Sequence, residues 1–386
     1  MKTNVAVFLG GRSVEHEVSI ISAMQAIAAL DAERYNPVPV YITKDGRLYS
    51  GKDFTSISAF RDIPALLKKG YPVVLTNSGN GTVMSRYPAK FGTKETPLHV
   101  ALPVVHGTYS EDGTVAGLCE AVALPYAGCD VLSAALSMNK HAAKAVLRAS
   151  GLPVLDGILL NSAKHSDNTP EIIEKSFEYP MIVKPADLGS SVGISKVSDR
   201  KALRDALELA FKFTLNVLIE PCLNPMKEVN CAVLGDWESA RASVCERPFS
   251  GDEFLSYQDK YLSGGKTNSG KGMGSGGREL PAKLSAEITK RVQELSVAAF
   301  NALGCSGCAR VDCMIDGDGQ IYINELNTIP GSLSFYLWEA SGLSFSALLD
   351  EMLRLALKRR RVRDALMTTI PTNILAQKSG LKGAKL

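Results

Sequence analysis

The segment from residue 310 to residue 327 constrains the fold more than any other part of the chain. It holds two short apolar runs on either side of Asp-Gly-Asp-Gly at 316–319, a sequence typical of the turn of a β-hairpin. Asp312 lies beside the first run and Glu325 beside the second. The hairpin therefore brings two carboxylates face to face, with the amide of Asn327 nearby. Such an all-oxygen set of ligands suits Mg²⁺ that bridges phosphate groups.

A second segment, residues 181–193, predicts phosphate binding. The apolar run at 181–183 is typical of a buried strand, and it is followed at once by Lys184 and then by Gly-Ser-Ser at 189–191. A cation beside a loop of small residues lets the backbone fold over a polyphosphate. The alternative for Lys184 is an ordinary surface cation, which its place at the end of a buried strand disfavours.

Composition limits the kind of protein to which these segments belong. The chain has 386 residues, of which 45% are hydrophobic and 22% charged, as in a soluble globular protein of two or three domains. The net charge of +3 indicates no nucleic-acid binding. The strand-like run at 5–9 is too short for a signal sequence, and no apolar stretch approaches the roughly 18 residues of a membrane span. We therefore expect a cytoplasmic protein with no membrane partner.

The cysteines could in principle form disulfides or a zinc site. The chain has eight of them, mostly among apolar neighbours, so reduced structural thiols are favoured. Cys305 and Cys308, with Cys313 nearby, have a metal-like spacing. No second Cys-x-x-Cys or histidine pair completes a tetrahedral site, and zinc is disfavoured.

The order of apolar runs predicts α/β and α+β domains. Residues 1–133 alternate strands with helices, as in an open, mostly parallel sheet. A helix predicted over 137–149 begins a central domain at 134–221, and a third domain at 222–357 holds the hairpin. For the first domain the alternative is a dinucleotide-binding fold, but its Gly-Gly-Arg-Ser loop lacks the G-x-G-x-x-G spacing.

Two later segments have unusual composition. Residues 264–277 contain seven glycines among fourteen residues, which favours an active-site lid over a plain linker because the segment lies between Tyr261 and the next helix. A helix predicted over 345–357 is followed by a basic tail at 358–386, which is interpreted as a solvated helix end or a loose tail.

Three more charged residues are candidates for the site. Arg310 lies two residues before Asp312, so both side chains occupy one face of a strand, as suits a migrating phosphoryl group. The alternative for Arg310 is a salt bridge to Asp312. Glu220 ends an apolar run and Glu228 follows it, so both could accept hydrogen bonds from a nucleotide, although isolated carboxylates are more often exposed charges.

Taken together, these motifs resemble a known family. From about residue 5 to residue 357 the chain is similar to the D-alanine:D-alanine ligases of the ATP-grasp superfamily. The matching stretches are 9–19, 106–107, 111–113, 124–128, 135–140, 182–185, 189–193, 259–261, 310–312 and 325–331. The resemblance implies a three-domain ATP-grasp architecture and the ATP-dependent joining of two D-alanine molecules through a D-alanyl phosphate, for peptidoglycan precursor synthesis.

The resemblance also implies the residues of the site. The residues expected to bind ATP are Lys140, Lys184, Ser191, Glu220, Glu228 and Lys260. The residues expected to hold two Mg²⁺ or Mn²⁺ ions are Asp312, Glu325 and Asn327. The residues expected to act on the substrates are Glu15, Ser190, Tyr261, Arg310 and Gly331.

Within the last group the roles differ. The resemblance implies that Glu15 holds the ammonium of the first D-alanine, with Ser190 and Tyr261 linked to it. It implies that Arg310 and the backbone amide of Gly331 stabilise the oxyanion formed when the second amine attacks. A homodimer is also expected.

Three departures separate the chain from the family pattern. Ser110 replaces a glycine, the segment after Tyr261 is longer and richer in glycine, and Tyr336 stands where the family commonly has a serine that touches the second substrate. Other acceptors, such as D-serine, D-lactate or another amino acid, are therefore one alternative. A non-catalytic nucleotide-binding regulator is another, which the intact residues Arg310 and Asp312 argue against.

Overall fold

The computed structural model describes residues 2–92, 94–249 and 277–372. Its strands are β1 (Thr3–Gly10), β2 (Tyr35–Ile42), β3 (Leu48–Ser50), β4 (Tyr71–Asn77), β5 (Thr82–Arg86), β6 (Thr96–Leu98), β7 (Val100–Pro103), β8 (Ile158–Asn161), β9 (Met181–Pro185), β10 (Ser195–Val197), β11 (Asn216–Pro221), β12 (Met226–Gly235), β13 (Ala240–Pro248), β14 (Arg278–Glu279), β15 (Gly307–Asp316) and β16 (Ile321–Asn327). Its α-helices are α1 (His16–Ala29), α2 (Ile63–Lys69), α3 (Thr114–Ala121), α4 (Val131–Met138), α5 (Lys140–Ala149), α6 (Thr169–Glu174), α7 (Arg200–Ala210), α8 (Ala286–Ala302), α9 (Phe335–Ala340) and α10 (Phe345–Asp364).

The N-terminal sheet has seven strands in the order β6-β5-β4-β3-β2-β1-β7. Its parallel part is limited to β2, β1 and β7, and the other pairs are antiparallel. For the pairs β2–β3 and β4–β5 the physical reason is loop length, because the short connections at 43–47 and 78–81 cannot make the crossover that parallel strands require. The expected open α/β sheet is present, but it is not mostly parallel as expected, because four of its six strand pairs are antiparallel.

The other two sheets are antiparallel throughout. One has four strands in the order β10-β9-β11-β8, and the other has five in the order β14-β13-β12-β15-β16. The four-stranded sheet has a hydrophobic core of its own, which includes Met181, Leu203 and Ile219. The five-stranded sheet takes part in two cores. One is shared with the N-terminal sheet and includes Leu234, Leu102 and the C-terminal helix, and the other includes Val233 and Val311.

The helix predicted over 137–149 is in fact two helices. Asn139 is extended, and its side chain accepts a hydrogen bond from the backbone amide of Ala142 at 3.0 Å, so it caps α5. The break places Lys140 in the first turn of α5. Asparagine is a common N-cap residue, so Asn139 could have indicated the start of a new helix. The apolar pattern continues on both sides of it and favours a single helix.

The C-terminal helix α10 does not end at Leu357 but continues to Asp364, into the predicted basic tail. Arg359 is buried, and its guanidinium donates to the backbone oxygens of Gly128 at 2.7 Å and Tyr126 at 2.6 Å. Basic residues of the predicted tail therefore bind the N-terminal domain. Among the helices that the structure describes, none is both long and apolar enough to cross a membrane.

Candidate active site

The predicted hairpin is formed by β15 and β16. Asp312 pairs directly with Glu325, and Arg310 pairs with Asn327, with a bulge after Asp312. The prediction that one hairpin brings these groups together is confirmed. Their function as metal ligands stays a prediction.

Arg310 forms a two-pronged salt bridge with Asp312. Its Nε and Nη2 atoms donate to the two carboxylate oxygens at 2.6 and 2.7 Å, and Asn327 Nδ2 donates to Asp312 Oδ2 at 3.0 Å. Burial acts to lower the pKa of Arg310, but the Asp312 carboxylate raises it well above its ordinary value. The salt-bridge alternative is thus present in the structure, and it keeps a permanent cation next to the hairpin carboxylates.

Lys140 joins the turn after β9 to the hairpin. Its Nζ atom donates to Leu188 O at 2.6 Å and lies 3.2 Å from Glu325 Oε2. Its backbone amide donates to Ala186 O at 2.8 Å. The side chain is almost fully buried, so a surface role is excluded.

Lys184 belongs to a buried group of charges. Glu220 Oε2 lies 2.6 Å from Lys184 Nζ, and Glu220 Oε1 accepts a hydrogen bond from Lys144. Burial and the neighbouring Lys184 lower the pKa of Lys144 to about 8. Burial acts to raise the pKa of Glu220, but the two lysines lower it.

Lys144 was not predicted from the sequence. It lies four residues after Lys140 on α5, so the two lysines occupy one face of that helix. This spacing is the signal that could have identified it. With Lys184, the site therefore collects three buried lysines.

Glu15 and Ser190 meet although 175 residues separate them in sequence. Ser190 Oγ donates to Glu15 Oε1, and Ser190 and Ser191 both have left-handed backbone angles, with φ of 55° and 57°. A Cβ atom on Gly189 would lie 3.2 Å from Glu15 Oε2, and one on Gly107 would lie 2.7 Å away. Gly107 also has a left-handed backbone with φ of 81°, so this position requires glycine, whereas a side chain at 189 would need Glu15 to shift slightly.

The remaining predicted site residues are distributed as follows. Gly331 begins a short turn after β16, and Glu228 lies on β12, two residues before Asn230, which pairs with Asp312. Lys260 and Tyr261 lie outside the described residues, as do all residues of the predicted lid except Gly277.

Comparison with family models decides the identity. The model described as "D-ala D-ala ligase N-terminus" matches residues 4–129, and the one described as "D-ala D-ala ligase C-terminus" matches residues 146–354. The chain belongs to the D-alanine–D-alanine ligase family. A D-alanine–D-alanine ligase of Thermosipho melanesiensis is 36% identical over 377 residues, which cover 98% of this chain and 99% of the relative.

Solved structures of the D-alanine–D-alanine ligase family have the same fold. The ligase of Coxiella burnetii has a TM-score of 0.80 at 29% identity and covers 95% of this chain and 97% of its own. The VanG D-Ala:D-Ser ligase of Enterococcus faecalis has a TM-score of 0.77 at 32% identity, with coverage of 92% and 100%. The ligase of Bacillus anthracis, solved as a complex with ATP, has a TM-score of 0.66 at 28% identity, with coverage of 94% and 99%.

A buried network that was not predicted from the sequence holds the turn that contains Gly331 in place. His106 Nδ1 donates to Ile329 O at 2.8 Å, and its Nε2 lies 2.9 Å from Ser22 Oγ. Ser22 Oγ also accepts from the amide of Ser332 at 3.1 Å. Glu111 accepts from the amide of Ile329 at 3.1 Å.

We expect Glu111 to make this ligase less stable as the pH rises. Burial and the nearby charge of Glu15 raise the pKa of Glu111 to about 8 from 4.5. A raised pKa in the folded state contributes stability that is complete below the unfolded pKa and is lost as the pH rises through the folded pKa. Between pH 6 and pH 9 the free energy of unfolding should therefore fall by about 2 to 3 kcal/mol from this group.

Urea unfolding of wild type and Glu111→Gln at the two pH values measures this fall. The variant has no titrating group at 111, so its difference between pH 6 and pH 9 should be smaller by that amount. Glu33→Gln, at an exposed carboxylate, should behave as wild type. An equal pH dependence in wild type and Glu111→Gln would contradict the prediction.

Proposed function

We propose that this protein uses ATP to join two D-alanine molecules into D-alanyl-D-alanine, with ADP and phosphate as the other products. The observation that carries the proposal is the position of the turn at 186–193. One side of this turn contacts the carboxylate of Glu15 through Ser190, and the other contacts Lys140, which reaches the carboxylate of Glu325. These contacts support the proposal that a site for an ammonium group adjoins a site for phosphate.

The hairpin residues fit the metal ions that we propose. Asp312, Glu325 and Asn327 offer only oxygen ligands, as Mg²⁺ or Mn²⁺ prefers. Arg310 and Lys140 balance the two carboxylates in the structure, which supports a site built to exchange cations. Two bound ions would neutralise charge on the phosphates of ATP.

The first half of the proposed reaction activates the first D-alanine. Glu15, oriented by Ser190, holds the ammonium, so the carboxylate of the substrate faces the γ-phosphate of ATP and attacks it. Lys140 and Lys184 hold the phosphates. A bond forms between a carboxylate oxygen and phosphorus, the bond to ADP breaks, and D-alanyl phosphate results. We propose that the side chains that complete ATP binding are Ser191, Glu220, Glu228 and Lys260.

The second half of the proposed reaction forms the peptide bond. The neutral amine of the second D-alanine attacks the carbonyl carbon, phosphate leaves, and the amine loses its proton. Arg310 and the amide of Gly331 stabilise the oxyanion. The salt bridge to Asp312 uses Nε and Nη2 of Arg310, so Nη1 is not needed for it. Tyr261 would close over the first substrate.

The biological setting follows from the proposed product, a peptidoglycan precursor. A cytoplasmic location and a homodimer are part of the proposal, and both rest on the resemblance to the family.

Phosphate release with ATP and Mg²⁺ tests the proposed function when it is measured across D-amino acids, L-amino acids and D-hydroxy acids, with the mass of each product. D-Alanine alone should give D-alanyl-D-alanine. D-Serine belongs in the panel because one solved relative is a D-Ala:D-Ser ligase. A mixed product made in preference to the dipeptide would change the acceptor, and no release with any D-amino acid would overturn the proposal.

A further inference from the structure

A second buried charged group lies beside the hairpin. Glu246 on β13 is only 4% exposed. It accepts a hydrogen bond from the hydroxyl of Tyr336 at 2.7 Å, and Nη1 of Arg278 lies 3.5 Å from its other carboxylate oxygen. The guanidinium of Arg278 stacks over the ring of Tyr336, 4.3 Å from the ring centre. We call Glu246, Arg278 and Tyr336 the acceptor cluster.

Strand register places the acceptor cluster next to the proposed site of reaction. Glu246 pairs with Asn230, Asn230 pairs with Asp312, and Asp312 pairs with Glu325, so these residues form one row across four adjacent strands. Adjacent strands lie about 4.8 Å apart, so Glu246 is about 10 Å from Asp312 along this row. Both Glu246 and Tyr336 contribute to the electrostatic environment of Arg310.

The proposed reaction needs a hydrogen-bond donor that holds the carboxylate of the second amino acid close to Arg310, and a cation is the strongest such donor. Two nitrogens of Arg310 already donate to Asp312. The hydroxyl of Tyr336, at the position where the family commonly has a serine, is hydrogen bonded to Glu246. A second carboxylate would therefore have to compete with Asp312 for Arg310 or with Glu246 for Tyr336.

Arg278 has the properties that such a partner needs. Its side chain is 29% exposed, so a ligand can reach it, and its Nη1 atom lies 3.5 Å from Glu246. A guanidinium binds a carboxylate through two parallel hydrogen bonds, and stacking on an aromatic ring fixes its plane. Tyr336 supplies that ring, and the buried charge of Glu246 holds both residues in position.

We propose that Arg278 binds the carboxylate of the second D-alanine, with Tyr336 as its platform and Glu246 as its anchor. The proposal rests on the proposed function, since it assumes an amino acid as acceptor. Tyr336 stands where the family commonly has a serine that touches the second substrate, and its hydroxyl donates to Glu246 instead. In this proposal the carboxylate contact comes from Arg278 on β14, and Tyr336 on α9 supplies the ring on which Arg278 stacks.

Hydroxylamine separates the two halves of the reaction. It attacks the carbonyl of D-alanyl phosphate through nitrogen and displaces phosphate, which gives D-alanine hydroxamate. It has no carboxylate, so it reports on the first substrate and on ATP without using the acceptor subsite. Hydroxamate formation and dipeptide formation can be measured on the same protein with ATP and Mg²⁺.

Arg278→Gln should raise the KM for the second D-alanine by about 10- to 100-fold, as expected for the loss of a charged hydrogen-bonded pair. Hydroxamate formation should stay within about twofold of wild type, because the first subsite is unchanged. Arg278→Lys keeps the positive charge but loses the two parallel N–H donors of the guanidinium, so its KM for the second D-alanine should lie between those of wild type and Arg278→Gln.

Arg247→Gln is the matched control. Arg247 follows Glu246 on β13, so its side chain lies on the opposite face of the sheet, near Glu279 at 4.0 Å. Its kinetics should match wild type. An unchanged KM in Arg278→Gln, or an equal loss of hydroxamate and dipeptide, would overturn the assignment of Arg278. Wild-type protein that makes neither product from D-alanine would overturn the proposed function instead.

Discussion

Glu325→Gln is expected to lower turnover at least about a thousandfold, as does the removal of a group that stabilises transition-state charge. Glu325 pairs with Asp312 across the hairpin, and the two carboxylates supply the negative charge of the proposed metal site. Asp312→Asn should lose as much activity and some stability as well, because Asp312 is the partner of Arg310. Phosphate release at saturating ATP, over a range of Mg²⁺ concentrations, measures the turnover of both variants. Urea unfolding measures the loss of stability in Asp312→Asn.

The hairpin provides its own control carboxylate. Asp318 lies in the exposed turn between β15 and β16, so Asp318→Asn should keep wild-type turnover. Thermal unfolding of Glu325→Gln checks that the fold is intact, since Glu325 is more exposed than Asp312. If Glu325→Gln turned over at nearly the wild-type rate at high Mg²⁺, the hairpin would not be the metal site.

Glu220→Gln is expected to lower the free energy of unfolding by about 3 to 5 kcal/mol, the usual cost of removing one partner from a buried ion pair. The side chain of Glu220 is 2% exposed and lies between Lys144 and Lys184, which are themselves buried. Without its charge, two ammonium groups remain in a medium of low dielectric constant and repel each other. Urea unfolding of the ligand-free protein measures the loss.

A second substitution tests the cause. Lys144→Met in the Glu220→Gln background removes one of the two uncompensated cations at similar length, so the double variant should regain about 1 to 2 kcal/mol relative to Glu220→Gln. Lys201→Met, at an exposed lysine of α7, should regain nothing in the same background. A double variant less stable than Glu220→Gln would show that packing rather than charge explains the loss.

Local patterns predicted the parts of the site that one stretch of chain builds by itself. The turn at 316–319 predicted the hairpin and the pairing of Asp312 with Glu325, because alternation and turn chemistry act over a few residues. The apolar run before Lys184 predicted a buried strand for the same reason.

Contacts between segments that are far apart in sequence could not be predicted from local patterns, because no short-range periodicity indicates them. Glu15 and Ser190 were linked only through the resemblance to the family, although the structure brings them into contact. Arg278 begins the strand β14, which could not be predicted because the stretch before it is rich in glycine and has no strand pattern. The antiparallel half of the first sheet and the burial of Arg359 depend on loop lengths and on partners far along the chain.

The separate core of the four-stranded sheet has a mechanical consequence. The N-terminal and five-stranded sheets share one core with α10, and Arg359 ties this helix to the N-terminal domain, so we expect these parts to move together. Because the four-stranded sheet has its own core, we expect it to be the part that can move relative to them. The turn after β9 is joined to the other parts by the hydrogen bonds of Ser190 with Glu15 and of Leu188 O with Lys140, whose helix packs in the core of the five-stranded sheet. Glu15 and Lys140 are proposed to bind substrate, so we expect an ammonium to compete with Ser190 for Glu15 and a phosphate to compete with Leu188 O for Lys140, and each ligand to weaken one contact between the two parts.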